Sequence, residues 1–243
     1  MSERLASMKE QVYVDPRPAD AFDAFHRRAR EHRPSGVYEL IRVLVTLYAY
    51  GIFRLRPIGG ENVPPSGPLI LAPNHFSFLD HFFCAVGIRR KVRFMAKSQL
   101  FSGPLKHVFS YGGVFPVRRG ARDDETFVTA ERLLADGEVV GMYCEGGRSR
   151  SGRLAERAKP GIGRLALRSG ATIVPVAIYG SSRVRNWKRL RFPQVTVQYG
   201  APLRFERVER PTREQMQSAA DQIFDEIKAL YGELERVGRR GVV

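Results

Sequence analysis

From about Arg54 onward, short and almost wholly apolar runs alternate with longer stretches whose apolar residues recur every three or four positions. Runs of the first kind read as buried strands and those of the second as amphipathic helices, which predicts an α/β fold with a mostly parallel central sheet flanked by helices. Strands are predicted at 68–71, 92–95, 113–117, 139–143, 173–178 and 195–198, and helices at 78–86, 123–135 and 162–168. Asp123 or Asp124 can cap the second of these helices, and Gly137 or Gly170 can end one. A last helix, 212–237, has Thr212 and Gln215 at capping-box spacing and Met216, Ile223, Phe224, Ile227, Leu230, Tyr231 and Leu234 on one face.

Ahead of Arg54 the pattern differs. Residues 18–33 read as a helix ending in Arg27, Arg28, Arg30 and Arg33, broken by Pro34-Ser35-Gly36. Tyr38, Ile41, Val45, Tyr48 and Ile52 then recur at helical spacing. The most apolar part, 43–53, has 11 residues between Arg42 and Arg54, whereas a spanning helix needs about 20. It is expected to lie on a membrane rather than cross one, although a helix packed on the core has the same spacing. The expected division is an N-terminal helical region, 1–53, acting as a membrane-surface anchor, and an α/β domain, 54–243. Glu3, Arg4, Lys9, Glu10 and Asp15 interrupt the first thirty residues, so no signal peptide is expected and the protein is placed in the cytoplasm.

Composition narrows the class. With 243 residues, 43% hydrophobic, the chain is neither a disordered tail nor a disulfide scaffold. Cys84 and Cys144 form no metal-ligand spacing and read as small buried apolar residues in a reducing compartment. The net charge of +15 is unevenly placed: nine Lys/Arg and no acid lie between Asp80 and Asp123, and ten between Glu156 and Glu206, again without an acid. Blocks of this kind draw in polyanions, whether nucleic acid, anionic lipid or a phosphorylated substrate.

Three predicted strand ends carry candidate chemistry. Asn74-His75-Phe76-Ser77-Phe78-Leu79-Asp80 follows the first strand. On a continuous helix His75 and Asp80 would face about 140° apart, so they meet only if His75 lies in the loop and Asp80 in the first helical turn, with Ser77 as the cap. A carboxylate on one ring nitrogen would leave the other to take a proton from a hydroxyl. HxxxxD also arises by chance around a hydrogen-bonded structural histidine. Tyr143-Cys-Glu-Gly-Gly-Arg-Ser149 leaves another strand, where glycines admit an anion and Arg148 can grip it, with Glu145 orienting the neighbouring arginines. Arg118 and Arg119 end a third.

Together these blocks resemble the glycerophospholipid acyltransferase family, of which the lysophosphatidate acyltransferases are the most widespread members. Asn74, His75 and Asp80 match its NHxxxxD block, Phe115-Pro-Val-Arg-Arg119 its arginine block, Glu145-Gly-Gly-Arg-Ser149 its Glu-Gly-Thr-Arg-Ser block, and Val174-Pro-Val176 its apolar block, over about residues 40 to 205. Gly147 stands where the family usually has threonine, which bears on the acceptor more than on the reaction. The resemblance implies a glycerol-3-phosphate acyltransferase-like fold, with His75 as general base and Asp80 as its orienting partner. It places Asn74, Lys97, Arg119, Glu145, Gly146 and Arg148 on the substrate, with no cofactor and no metal. The implied donor is acyl-CoA or an acyl-carrier protein. The implied acceptor is 1-acylglycerol 3-phosphate, or another lysophospholipid, glycolipid or glycerol phosphate, at the cytoplasmic face of an anionic membrane, with no nucleic acid. Transfer is expected to be direct, because no G-x-S-x-G nucleophile is present.

Rival readings are weaker. A binuclear metallohydrolase HxHxDH block would need histidines where Phe76 and Phe78 stand beside Asp80 and His81. The basic run 183–191, with Trp187 as a stacking surface, could face nucleic acid, yet it suits lipid headgroups or an acidic carrier protein equally. Gly161-Ile-Gly163 has dinucleotide-fingerprint spacing but no preceding strand, and reads as the start of a helix.

Overall fold

A computed structural model describes residues 5, 8, 14–120, 123–189 and 192–242, the side chains of 187–189 excepted. The described residues build one sheet of seven strands: β1 (Arg56–Ile58), β2 (Leu69–Pro73), β3 (Val92–Lys97), β4 (Phe115–Val117), β5 (Val139–Gly141), β6 (Thr172–Tyr179) and β7 (Thr196–Tyr199). Their order is β1-β7-β6-β2-β5-β3-β4, and every pairing is parallel except β6 with β7. β2 lies at the centre and all five of its residues are buried, as a strand covered on both faces requires. Leu69, Ile70 and Leu71 are wholly inaccessible, each burial contributing about 1.5–3 kcal/mol.

The expected strands are present within a residue or two at most ends. β1 was not foreseen: it is a three-residue edge strand whose register is set by β7, Arg56 opposite Thr196. Among the described residues seven α-helices flank the sheet: α1 (Asp23–Glu31), α2 (Gly36–Phe53), α3 (Asp80–Val86), α4 (Leu105–Tyr111), α5 (Asp124–Ala135), α6 (Pro160–Ser169) and α7 (Arg213–Gly241). Asp123 caps α5 by accepting from the Thr126 N–H, and Thr212 and Gln215 form the reciprocal capping box of α7. Gly163 explains the fingerprint-like spacing: a Cβ there would stand 1.9 Å from the Met216 carbonyl, so glycine lets α6 and α7 meet backbone to backbone.

Two expectations about the N-terminal region change. Residues 19–31 do not stand apart from the α/β domain, because α1 packs on α5 and β4, and the buried Arg93 of β3 donates to the Ala29 carbonyl at 2.7 Å. In α2, Ile41 and Val45 face inward beside α3 and α4, while Leu40, Val43, Leu44 and Leu47 form a bare outer face, Leu47 being 69% exposed. The helix is therefore both a packed helix and an apolar surface, one on each side. Its 18 residues have a mean hydropathy of 1.3, enough by length and composition to cross a membrane. However, the Arg42 guanidinium is tied to the carbonyls of Ile88 and Arg89, and Glu39 to Lys91 at 2.8 Å, so its N-terminal half is fastened along the domain.

Candidate active site

β2, β5, β3 and β4 are four consecutive parallel strands, so their carboxyl ends share one edge of the sheet, where ligands bind in open α/β folds. β2 stops at Pro73. The Asn74 side chain then takes the place of a strand partner: Oδ1 accepts from the Ile178 N–H at 2.7 Å and Nδ2 donates to the Ile178 carbonyl at 3.2 Å. Asn74 is fully buried with both polar atoms bound to β6, which corrects its expected place on the substrate. Its part is to fix where His75 leaves the sheet.

His75 and Asp80 meet as the spacing requires, with Nδ1 to Oδ2 at 2.9 Å. The same Oδ2 accepts from the backbone N–H of Phe76 at 2.6 Å and of Ser77 at 2.7 Å. Since those two partners can only donate, Oδ2 is an acceptor, Nδ1 carries the proton, and Nε2 keeps its lone pair. These bonds also explain why α3 begins at Asp80, two residues later than expected: the carboxylate holds the loop in a turn. Ser77 is no cap of α3; its Oγ accepts from the Leu79 N–H at 3.2 Å.

The imidazole lies flat on the Tyr143 ring, centroids 3.7 Å apart and planes 13° off parallel. Burial, outweighing the Asp80 hydrogen bond and reinforced by the charges of Arg119 and Arg148, holds its pKa below the ordinary 6.5. The ring is therefore neutral at physiological pH. It lines a cavity of about 270 Å³ together with Lys97 at the end of β3, Arg119 just past β4, and Arg148 in the loop after β5. Those four expected residues thus meet around one space.

Glu145 and Gly146 lie elsewhere. Glu145 accepts from the His75 N–H at 2.7 Å and from the Ala155 N–H at 3.1 Å, which corrects its expected roles on the substrate and in orienting arginines: it joins the two loops through their backbones. Burial raises its pKa to about 7. Gly146 sits at φ +68°, a turn glycine rather than a member of the His75 cavity.

Comparison with known proteins decides the kinship. A family model described as Acyltransferase matches residues 54–179, more than half of the chain. The chain belongs to the acyltransferase family. It is 28% identical over 151 residues to a chloroplastic 1-acyl-sn-glycerol-3-phosphate acyltransferase of Arabidopsis thaliana, covering 60% of this chain and 41% of that one. It is 27% identical over 143 residues to a 1-acyl-sn-glycerol-3-phosphate acyltransferase of Borreliella burgdorferi, covering 58% and 56%. The chain thus spans about half the length of these relatives. Among solved structures, the 1-acyl-sn-glycerophosphate acyltransferase of Thermotoga maritima superposes with a TM-score of 0.64 over 88% of each chain at 20% identity, a likeness of fold.

Several residues that shape this acyltransferase-family site carried no readable signal. Tyr143, the floor beneath His75, looked like the last residue of a strand. Arg185 belongs to the basic run read as a possible nucleic-acid face, but its guanidinium donates to the carbonyls of Phe76, Ser149 and Arg150, pinning the His75 and Arg148 loops together. The proposed stacking residue of that run, Trp187, lies outside the described side chains. Arg17 grips Asp15 through two nitrogens and donates to the carbonyls of Ser98 and Phe101, while its own carbonyl accepts from Arg118, so it braces the turn that follows Lys97. His81, considered as a metal ligand, lies against Phe82 and Phe94, and burial lowers its pKa to about 4. Among the described residues no His, Cys, Asp and Glu cluster is arranged to hold a metal ion. Cys84 and Cys144 are buried free thiols, raised in pKa by that burial.

Proposed function

We propose that this chain transfers a fatty acyl group from an acyl thioester, carried by coenzyme A or an acyl carrier protein, to the free hydroxyl of a glycerol-phosphate lipid, with 1-acylglycerol 3-phosphate as acceptor and phosphatidate as product. The observation that carries this reading is an imidazole anchored at Nδ1 by Asp80 and sharing its cavity with Arg119 and Arg148. His75 Nε2 takes the hydroxyl proton as the alcohol oxygen attacks the thioester carbonyl. Asp80 supports the imidazolium that forms. The tetrahedral intermediate collapses, the carbon–sulfur bond breaks, and the departing thiolate receives the proton from Nε2, so the enzyme ends as it began. Lys97, Arg119 and Arg148 hold the acceptor phosphate and with it the hydroxyl, and such positioning can contribute several kcal/mol.

A second cavity of about 150 Å³, lined almost wholly by apolar side chains, continues from the first, sharing His81, Phe94, Phe109 and Val114 and reaching Ile41 and Val45 of α2. It suits the acyl chain. The proposed seat is peripheral, on the cytoplasmic face of the membrane; the bare face of α2, with Leu105, Val108 and Tyr111 of α4 adding exposed apolar surface, supports the membrane-surface part of that reading. Incubation with a labelled acyl thioester and a panel of acceptors tests the reading: ester is expected on phosphorylated lysolipids and little on phosphate-free monoacylglycerol. Equal acylation of both, or thioester hydrolysis alone, would contradict it.

A further inference from the structure

The cavity at His75 and the apolar cavity beyond it meet at four side chains, His81, Phe94, Phe109 and Val114. Three of them are apolar, as a passage for an alkyl chain requires. His81 is not, and the proposed reaction gives it no task. It stands in the first turn of α3, next in sequence to Asp80, with its ring centroid 3.9 Å from that of Phe82 and 5.9 Å from that of Phe94. No hydrogen bond ties either of its ring nitrogens to a described residue. The other polar side chains of the apolar cavity are engaged: Arg42 with the carbonyls of Ile88 and Arg89, and the Tyr38 hydroxyl as acceptor of the Val92 N–H at 3.0 Å. With its pKa near 4 the His81 ring is neutral, so it offers one N–H donor and one bare nitrogen acceptor, but no charge for a phosphate. Water can serve both nitrogens while the passage is empty. An unsubstituted acyl chain displaces that water and returns no hydrogen bond, which makes it the poorer fit. A hydroxyl on the chain, donor and acceptor like water, restores what is lost.

We propose that His81 selects an acyl group with a hydroxyl on carbon 2 or 3, hydrogen-bonding to that oxygen where the chain turns from His75 into the apolar cavity. The hydroxyl belongs near the thioester because His81 stands where the passage begins; farther in, Ile41, Val45, Ala85 and Val86 offer it nothing. The proposal rests on the acyl-transfer reading above and names the substrate class within it.

The test is a competition between dodecanoyl-CoA and its 2-hydroxy and 3-hydroxy derivatives for one phosphorylated acceptor, in the wild type, His81→Leu and His81→Gln, with Tm recorded for each. In the wild type kcat/KM is expected to be about tenfold higher for one of the hydroxylated donors than for the plain one. His81→Leu removes both nitrogens and should erase or invert that ratio. His81→Gln keeps a donor and an acceptor and should retain part of it. A ratio between donors is unmoved by a general loss of folded enzyme. A wild type that prefers the plain chain to both derivatives, or a preference that survives His81→Leu, would overturn the proposal. So would loss of transfer from every donor in a folded His81→Leu variant, which would put the ring on the reacting carbonyl. Calorimetry with the free acids separates this proposal from the reading beneath it. In a protein that transfers no acyl group, hydroxydodecanoate bound about tenfold more tightly than dodecanoate, and only with His81 present, would sink acyl transfer and leave the role of His81 standing; equal affinities there would sink both.

Discussion

The two sides of His75 are built from opposite materials. Toward α2 the cavity wall is Ile41, Val45, Phe82, Ala85, Phe94 and Phe109; away from α2 it is Lys97, Arg119 and Arg148, with Arg118, Arg153 and Lys159 farther on. An amphiphile can enter such a cleft in one direction only, chain to one side and phosphate to the other. The neutral imidazole stands at the boundary, where the reacting carbonyl and hydroxyl of two such molecules would meet. Orientation follows from the sorting of polarity and needs few specific contacts.

That contrast can be broken at its centre or on either side. His75→Ala removes the proposed base and is expected to lower the transfer rate by about 10²–10⁴, measured with a labelled thioester, and to lower Tm modestly, because the buried Asp80 carboxylate loses a partner. On the cationic side, Arg148→Ala should raise the KM for a phosphorylated acceptor about tenfold or more, the effect of a lost charged hydrogen bond of about 1.5–3 kcal/mol, and leave a phosphate-free acceptor nearly unaffected. An unchanged KM would remove the clamp. On the apolar side, Ala85→Phe narrows the second cavity, and a competition between long and short acyl thioesters should shift severalfold toward the short one. The smallest effect is expected from Tyr143→Phe. The Tyr143 hydroxyl is buried without a partner, so its removal keeps the stacked floor and should leave activity within about twofold and stability equal or slightly higher.

The sheet was legible because β2 and β6, each covered on both faces, read as continuous apolar runs, and parallel strands demand the helices between them. Short elements were not: β1 and α4 are held by β7 and by the packing around the site, which no local pattern records. The His75–Asp80 pair was legible from its spacing, since only one placement of loop and helix lets the side chains meet. Asn74, Glu145 and Arg185 were misread for a common reason. Their polar groups serve backbone atoms from 10 to 109 residues away, and type and spacing reveal the chemistry a side chain can do, not which distant carbonyl or amide it meets. The basic blocks mixed two populations. Arg93 and Arg90 lie in acid-free sequence, yet Arg93 is buried against Glu138 and the Ala29 and Gly113 carbonyls, and Arg90 is bound to the carbonyls of Pro64, Gly67 and Gly137. Only part of the charge lines the cavities around His75.

The central claim is that His75 works as a neutral base whose basicity is lowered by burial and by the cations beside it. Its most direct test is the pH dependence of kcat/KM for the wild type with a phosphorylated acceptor. Protonation would abolish the base, so the rate must fall as pH drops through the pKa of His75 in the free enzyme. The account predicts an acid limb with its midpoint below 6.5. A midpoint above 6.5, or a rate that does not fall toward acid, would contradict it.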